Sequence, residues 1–483
     1  MLAETIRIPS TSRNHRRVGF VAATTVSIAL AAVSCGEPSA TSTVSPTDTF
    51  FPTPNPTEIF ISPTPMPTET LVPTPVPTPS EKPTPKPTET LNPNFEAFTP
   101  KTEILSPSGL TAYDLGKADF LRPSPNIIFD SNGDPQIVFS DSDGGLTHVF
   151  QVNGKWYKEK ISTFTAGYNS ITYESGKGVT DNGLVVAAND GWAAEALVLA
   201  KYNATSNSWE TTILPGIGSS DGLDSSITSH NGKLYISAYS WSEGKATLST
   251  NESGPWKTSA LAISGWAETK ILINNKGQIH VLYGSRGTGH IYDSSNTSGK
   301  FVETAIKVTS QSYSFNGTGG EANLAATMDK NSGVISLFTG DSIYSSKGGW
   351  HKEATIIKLS KYERTQTGPD ALVEDANGHL HLVFYAIDKK EKTHLFYADN
   401  VTGKWRVIDL DNKQGVQKNA EDESNANYWD WTLEGSPASI AMGPDGKAYI
   451  VFATRAPQTP DPKVPETPEV RLVIIDPQNL GNK

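Results

Sequence analysis

Residues 125–141 read PNIIFDSNGDPQIVFSD: an apolar run, a tight turn built on Gly133, and a second apolar run opening on Pro135. Two short runs rich in Val, Ile and Phe around a glycine-containing turn are the signature of a β-hairpin. The phrase is written six more times: NSITYESGKGVTDNGLVVAAND from Asn169, DSSITSHNGKLYISAYS from Asp224, TKILINNKGQIHVLYGS from Thr269, ANLAATMDKNSGVISLFTG from Ala322, PDALVEDANGHLHLVFYAI from Pro369 and PASIAMGPDGKAYIVFATR from Pro437. The turn glycines Gly133, Gly183, Gly232, Gly277, Gly333, Gly378 and Gly446 recur about every 50 residues, a period of propeller repeats. A repeat that cannot bury its own apolar face must stack on its neighbours, so seven copies predict seven blades in one all-β array.

Each hairpin is followed by a third run, such as LTHVFQ from Leu146 or THLFYAD from Thr393, and then by a fourth that opens on an aromatic residue: Trp156, Trp209, Trp256, Phe301, Trp350 or Trp405. That gives four-stranded antiparallel blades, but only six copies of the fourth strand exist. The seventh repeat ends near Asp476, whereas GLTAYDLGK from Gly109 is a strand-like run with no partner of its own. Supplying this run as the outer strand of the last blade closes the ring three-plus-one and removes an open edge. The fold expected is a seven-bladed β-propeller; the alternative is a six-bladed ring with an appended hairpin.

Residues 1–34 carry Arg7, Arg13, Arg16 and Arg17 ahead of an apolar stretch from Val18 to Val33. At 16 residues the stretch is shorter than the roughly 18 or more of a membrane-spanning helix, so it reads as a signal peptide. Ala32, Val33 and Ser34 precede Cys35, the only cysteine of the chain, and Gly36 follows. This arrangement resembles the lipobox of bacterial lipoproteins, with Ala32 where leucine is commonest; the resemblance implies cleavage before Cys35 and acylation of its thiol. The alternative is an ordinary cleaved leader. The precursor has a net charge of −11; removing a leader with four arginines and one glutamate leaves about −14, a balance that excludes nucleic acid as a partner.

From Cys35 to residue 103 the chain is dominated by Pro-Thr and Pro-Thr-Glu units, and 17 of the 33 prolines fall between Pro38 and Pro100. Proline fixes φ and removes the amide donor, so a disordered, extended polyproline-like linker is expected, reaching on the order of 200 Å at ~3.1 Å per residue. The propeller is expected over 104–483.

In a four-stranded meander blade, with strands lettered A to D from the centre outwards, A–B and C–D turns share one end. The B–C loops and the D–A connections share the other. Here the first set is short and the second long and irregular, as in TSQSYSFNGTGGEAN and NKQGVQKNAEDESNANYWDWTLEGS. Long variable loops on a rigid scaffold are where binding residues concentrate. Five tryptophans open outer strands and read as packing between blades; the other five, Trp192, Trp241, Trp266, Trp429 and Trp431, fall in B–C or D–A segments. Aromatic rings with a polar edge suit sugar-face stacking or a peptide groove. Arg122, Arg286, Arg364 and Arg455 map to the same end, and Asp221, Asp224, Glu268, Glu321 and Asp370 lie near the starts of innermost strands.

The repeat rhythm over residues 109–476 resembles the bacterial members of the sialidase-like propeller superfamily. Its Asp-box turn is echoed in degenerate form by DSDGGLTH from Asp141 and STNESGPW from Ser249. Sialidases themselves are six-bladed and use three arginines, a tyrosine–glutamate pair and an aspartate, and no motif here assigns equivalents. Hydrolysis by paired carboxylates, drawn from Glu268, Glu321 and Asp370, is the catalytic alternative. His379 and His381 lie two apart and DSNGD at Asp130 echoes a calcium loop, but the parallel repeats lack the ligands, so neither metal nor cofactor is expected. The sequence therefore reads as a lipid-anchored, monomeric, cell-surface propeller that binds an extracellular glycan or protein without catalysis. Trp192, Trp241, Trp266, Trp429, Trp431, Arg286, Arg364 and Arg455 are its candidate ligand contacts; a glycoside hydrolase or lyase and an assembly scaffold are the alternatives.

Overall fold

The computed structural model describes residues 95–480 apart from 106–107, 109, 119–123, 163–166, 175–182, 191–195, 204, 217–220, 241, 265, 286–289, 309–323, 358–361, 367–370, 389–392, 412–437 and 455–467. The chain divides into two units, residues 1–85 and 86–483, and every described residue lies in the second. Among the described residues there are strands and turns and no helix.

The strands form seven sheets in chain order. Blade 1 runs outward through Asn126–Phe129, Pro135–Ser140, Leu146–Val152 and Lys155–Lys160, each antiparallel to the last. Blades 2 to 6 repeat the meander, with innermost strands beginning at Gly167, Asp221, Trp266, Ala325 and Tyr362. Blade 7 takes Ser439–Met442, Ala448–Thr454 and Glu469–Ile475 from the C-terminal end and its outer strand, Thr111–Lys117, from the N-terminal end. This is the closure expected of GLTAYDLGK, and the innermost strands touch in cyclic order, blade 7 returning to blade 1. The ring is seven-bladed.

Cohesion lies between blades. Leu115, Ile127, Phe139, Val451 and Leu472 form one buried cluster across blades 7 and 1, and Val185, Leu199, Leu234 and Ile236 another across blades 2 and 3. Trp156, Trp209, Trp256, Trp350 and Trp405 each pack against such a cluster, as their position at the head of the outer strand implied. Phe301, which opens the outer strand of blade 4, is 41% exposed.

The A–B turns of blades 1, 4, 6 and 7 repeat one backbone hydrogen-bonding pattern. In blade 1 the Asp130 amide donates to Asp134 O (3.0 Å) and Gly133 N to Asp130 O (3.0 Å), while Asp130 Oδ1 accepts the amides of Asn132 and Asp134 at 2.8 Å each. Gly133 sits at φ 83°, and a Cβ there would lie 2.6 Å from Pro444 in the adjoining turn of blade 7, so both backbone conformation and space require glycine. The C–D turns have their own device: the side chains of Asn251, Asn296 and Asn400 accept the amides of Leu234, Ile279 and Leu380 at 2.7–2.8 Å. The STNESGPW phrase is thus a structural turn that locks strand B to the C–D corner.

Two features depart from the sequence reading. Strand Glu96–Phe98 and all but the last residue of strand Lys101–Ile104 lie within the stretch expected to be linker; the first adds to the outer strand of blade 1 and the second to that of blade 7. Phe95 meets Phe150 edge-on at 4.9 Å, Glu96 pairs with Lys158 (3.1 Å) and Glu103 with Arg471 (2.6 Å), so residues 95–105 strap the seam where the ring closes. The second is in blade 6, where two pieces, Tyr362–Gln366 and Leu372–Glu374, together pair with Leu380–Asp388 as the inner strand.

Candidate functional site

The strands flanking the B–C and D–A segments end on the side of the ring opposite the regular A–B turns. Trp266 opens the inner strand of blade 4 on that side, opposite Gly284, and Arg364 lies in the first inner piece of blade 6, opposite Ile387. The other proposed ligand contacts, Trp192, Trp241, Trp429, Trp431, Arg286 and Arg455, lie outside the described residues, as do Arg122, Glu321, Asp370 and Cys35.

Glu268, the described member of the catalytic alternative, is 6% exposed, and its Oε2 accepts the amide of Leu324 from blade 5 at 2.6 Å. It brackets two blades at their inner edge, a role shared by neighbouring polar groups. Ser226 Oγ accepts the amide of Ile271 (3.3 Å), Ser439 Oγ that of Ile127 (3.4 Å), Thr269 Oγ1 donates to Asp224 O (3.0 Å), and Asn126 Nδ2 donates to Asn169 O (2.6 Å). Adjacent inner strands cannot pair as a sheet, so these side chains satisfy backbone groups that would otherwise be buried unpaired.

The inner strands enclose a cavity of about 780 Å³ that reaches the A–B turns. Its wall is apolar along Ile128, Leu272, Met328, Val373 and Met442, and Asp329, Glu374 and Asp375 line it beside Lys270 and Lys330. Asp329 is satisfied within its own turn by the Ser332 hydroxyl (2.6 Å) and then the Asn331 amide (2.9 Å), which lower its pKa. Burial pushes the Asp375 carboxyl up, but the amides of His379 and Asn377 and the His379 ring outweigh it and hold the group at about 2. Glu374 has no such partners among the described residues. Burial, and then the charges of Asp329 and Asp375, raise its pKa above the ordinary value. The sequence carried a signal for it: the residue just before each A–B turn is Phe129, Tyr173, Ser229, Ile273, Met328, Glu374 or Met442, and only one of these is charged.

Behind Asp375 a buried polar chain crosses blade 6. His381, fully buried, places Nε2 3.5 Å from Asp375 Oδ2 and Nδ1 2.7 Å from the Tyr397 hydroxyl. Burial lowers the His381 pKa against the opposing pull of Asp375 and Asp399, and burial raises that of Tyr397. Asp399, also fully buried, is gripped by Arg406 through Nε (2.9 Å) and Nη2 (2.7 Å), and Arg406 donates further to Leu480 O (2.9 Å) and Pro477 O (2.8 Å). The two histidines singled out in the sequence thus belong to a structural network. No group of three or more His, Cys, Asp or Glu side chains placed to hold a metal ion occurs among the described residues.

No protein-family model matches the chain, and no curated protein matches it. Solved structures do. A mutant of the Aleuria aurantia lectin in complex with Fucα1-6GlcNAc is similar at 13% identity over 60% of this chain and 97% of that one, with a TM-score of 0.41. AofleA from Arthrobotrys oligospora is similar at 12% identity over 62% and 89%, TM-score 0.42. A protein of unknown function from Dyadobacter fermentans is similar at 11% identity over 76% and 99%, TM-score 0.42.

Proposed function

We propose that this chain is an exported, lipid-anchored protein of the cell surface whose propeller captures an extracellular glycan or protein at its B–C and D–A end, without catalysis. The observation that carries the reading is the unequal construction of the two ends. Six A–B turns share a glycine at positive φ between 73 and 83°, whereas the connections at the other end differ in length and composition from blade to blade. A scaffold that repeats itself on one side and varies on the other is built to present the varied side. The non-catalytic part is supported by Glu268, whose carboxylate holds a blade-to-blade hydrogen bond.

Anchoring rests on the leader: Cys35 follows a charged, then apolar, then small-residue stretch, and a Pro/Thr-rich spacer separates it from the ring. The test is a glycan array and a surface pull-down with the chain carrying Cys35→Ser, which leaves it soluble after export. Replacing Trp266 and Trp431 together by alanine is expected to abolish capture while leaving the thermal midpoint within a few degrees. Capture that survives the double substitution, or a collapse of stability, refutes this assignment of the binding end. Failure of Cys35→Ser to leave the membrane fraction refutes the anchor.

A further inference from the structure

From the channel geometry we propose a second binding site, at the A–B mouth, that takes a primary alkylammonium group: a protonated amine on a short hydrocarbon body. It is independent of the glycan or protein site proposed above, which lies at the other end of the strands. A cavity of about 780 Å³ falls within the ~300–1,000 Å³ of small-ligand sites. Its walls along Ile128, Leu272, Met328 and Val373 suit a hydrocarbon chain.

The polar end is specified by Glu374. Its carboxylate lies beside Gly378, where an added Cβ would be 3.6 Å from Oε1, so it stands at the mouth, and it makes no hydrogen bond or ion pair with any described residue. Asp329 and Asp375, which face it, are saturated by their own turns and add only negative potential. Among the described residues that line the cavity the cations are Lys270 and Lys330. His381 is fully buried behind Asp375, its Nε2 is 3.5 Å from Oδ2, and it makes no hydrogen bond there. His379 is spent on Asp375, Lys330 is exposed at the rim, and Lys270 already has an interaction of its own. A cation supplied from the channel meets the one carboxylate without a partner among the described residues, and a primary ammonium offers it three donors while its slim hydrocarbon chain lies along the apolar wall.

The test is calorimetric titration of the Cys35→Ser chain with pentylammonium, with N-acetyl-lysine N-methylamide, and with pentanoate. Saturable binding of pentylammonium at millimolar concentration is expected, no binding of pentanoate, and a loss of affinity of about tenfold or more in Glu374→Gln, as for removal of a charge-assisted hydrogen bond. Binding of the lysine derivative as well would assign a protein side chain as a ligand; binding of pentylammonium alone would assign a free amine. Glu374→Gln is checked by its urea midpoint, which should hold or rise because an unpaired acid is removed. Absence of pentylammonium binding to the unsubstituted channel, equal binding of pentanoate, or unchanged affinity in Glu374→Gln would overturn the proposal.

Discussion

Truncating Leu115 to alanine tests the three-plus-one closure at its centre. Leu115 lies in the N-terminal strand that completes blade 7, is 2% exposed, and sits in the cluster with Ile127, Phe139, Val451 and Leu472 that joins the last blade to the first. The substitution removes three carbons; at ~0.8 kcal/mol per buried methylene the transfer loss alone is about 2.4 kcal/mol. The cavity left in a site walled by two blades raises this into the range of about 3–5 kcal/mol found for buried leucines that cannot collapse. Ile104, two strands from the core on the seam strap and 63% exposed, is the control; Ile104→Ala is expected to change stability by less than about 0.5 kcal/mol. Urea unfolding gives the midpoints, and hydrogen exchange gives the local effect, with faster exchange along Glu469–Ile475, the partner strand. If Leu115→Ala leaves the midpoint and that exchange unchanged, the N-terminal strand does not close the ring.

Two further outcomes follow from blade 6. Arg406→Met leaves the fully buried Asp399 without its bidentate partner and releases Pro477 and Leu480; the expected cost is about 3–5 kcal/mol, read as a fall in urea midpoint together with protease cleavage near the C-terminus, and an unchanged midpoint would show that the clamp carries no stability. His381 has a folded-state pKa below its ordinary value, so the folded protein binds its proton less readily than the unfolded chain. Its contribution is therefore fully present above about pH 6.5 and is lost as pH falls from there toward the lowered folded value. The urea midpoint between pH 7.5 and 5.5 should drop less in His381→Gln than in the unsubstituted chain, and parallel profiles would count against it.

The ring was legible because repetition multiplies a weak signal. PNIIFDSNGDPQIVFSD alone predicts a hairpin; written seven times at one period it predicts a stack, and the count of fourth strands then leaves one strand to be found upstream. The strap was not legible for the opposite reason. EAF and KTEI are three and four residues long, almost wholly exposed, and abut a proline-rich tract, so neither alternation nor repetition marks them. YERTQ in blade 6 is polar throughout and has no counterpart in the repeated phrase; it is strand because Leu380–Asp388 runs on past Leu372–Glu374 and offers it an edge.

The two candidate sites differ in how far sequence can reach them. The B–C and D–A segments share no pattern between blades, so the sequence can assign Trp192 or Trp431 to an end of the ring but not to a neighbour. The A–B mouth is the reverse case. There each repeat places one residue just before its turn, and comparing the seven turns position by position exposes the member that differs. Glu374 stands where the other blades place Phe, Tyr, Ser, Ile or Met, and the structure puts it in a partly apolar channel with two more carboxylates and two lysines, without a hydrogen-bond or ion-pair partner among the described residues. In a repeat protein a residue that serves packing should resemble its counterparts, because the inter-blade environment recurs. A charge that appears once at such a position costs stability wherever it is buried unpaired, and a compensating ligand is the physical reason this geometry offers for its presence.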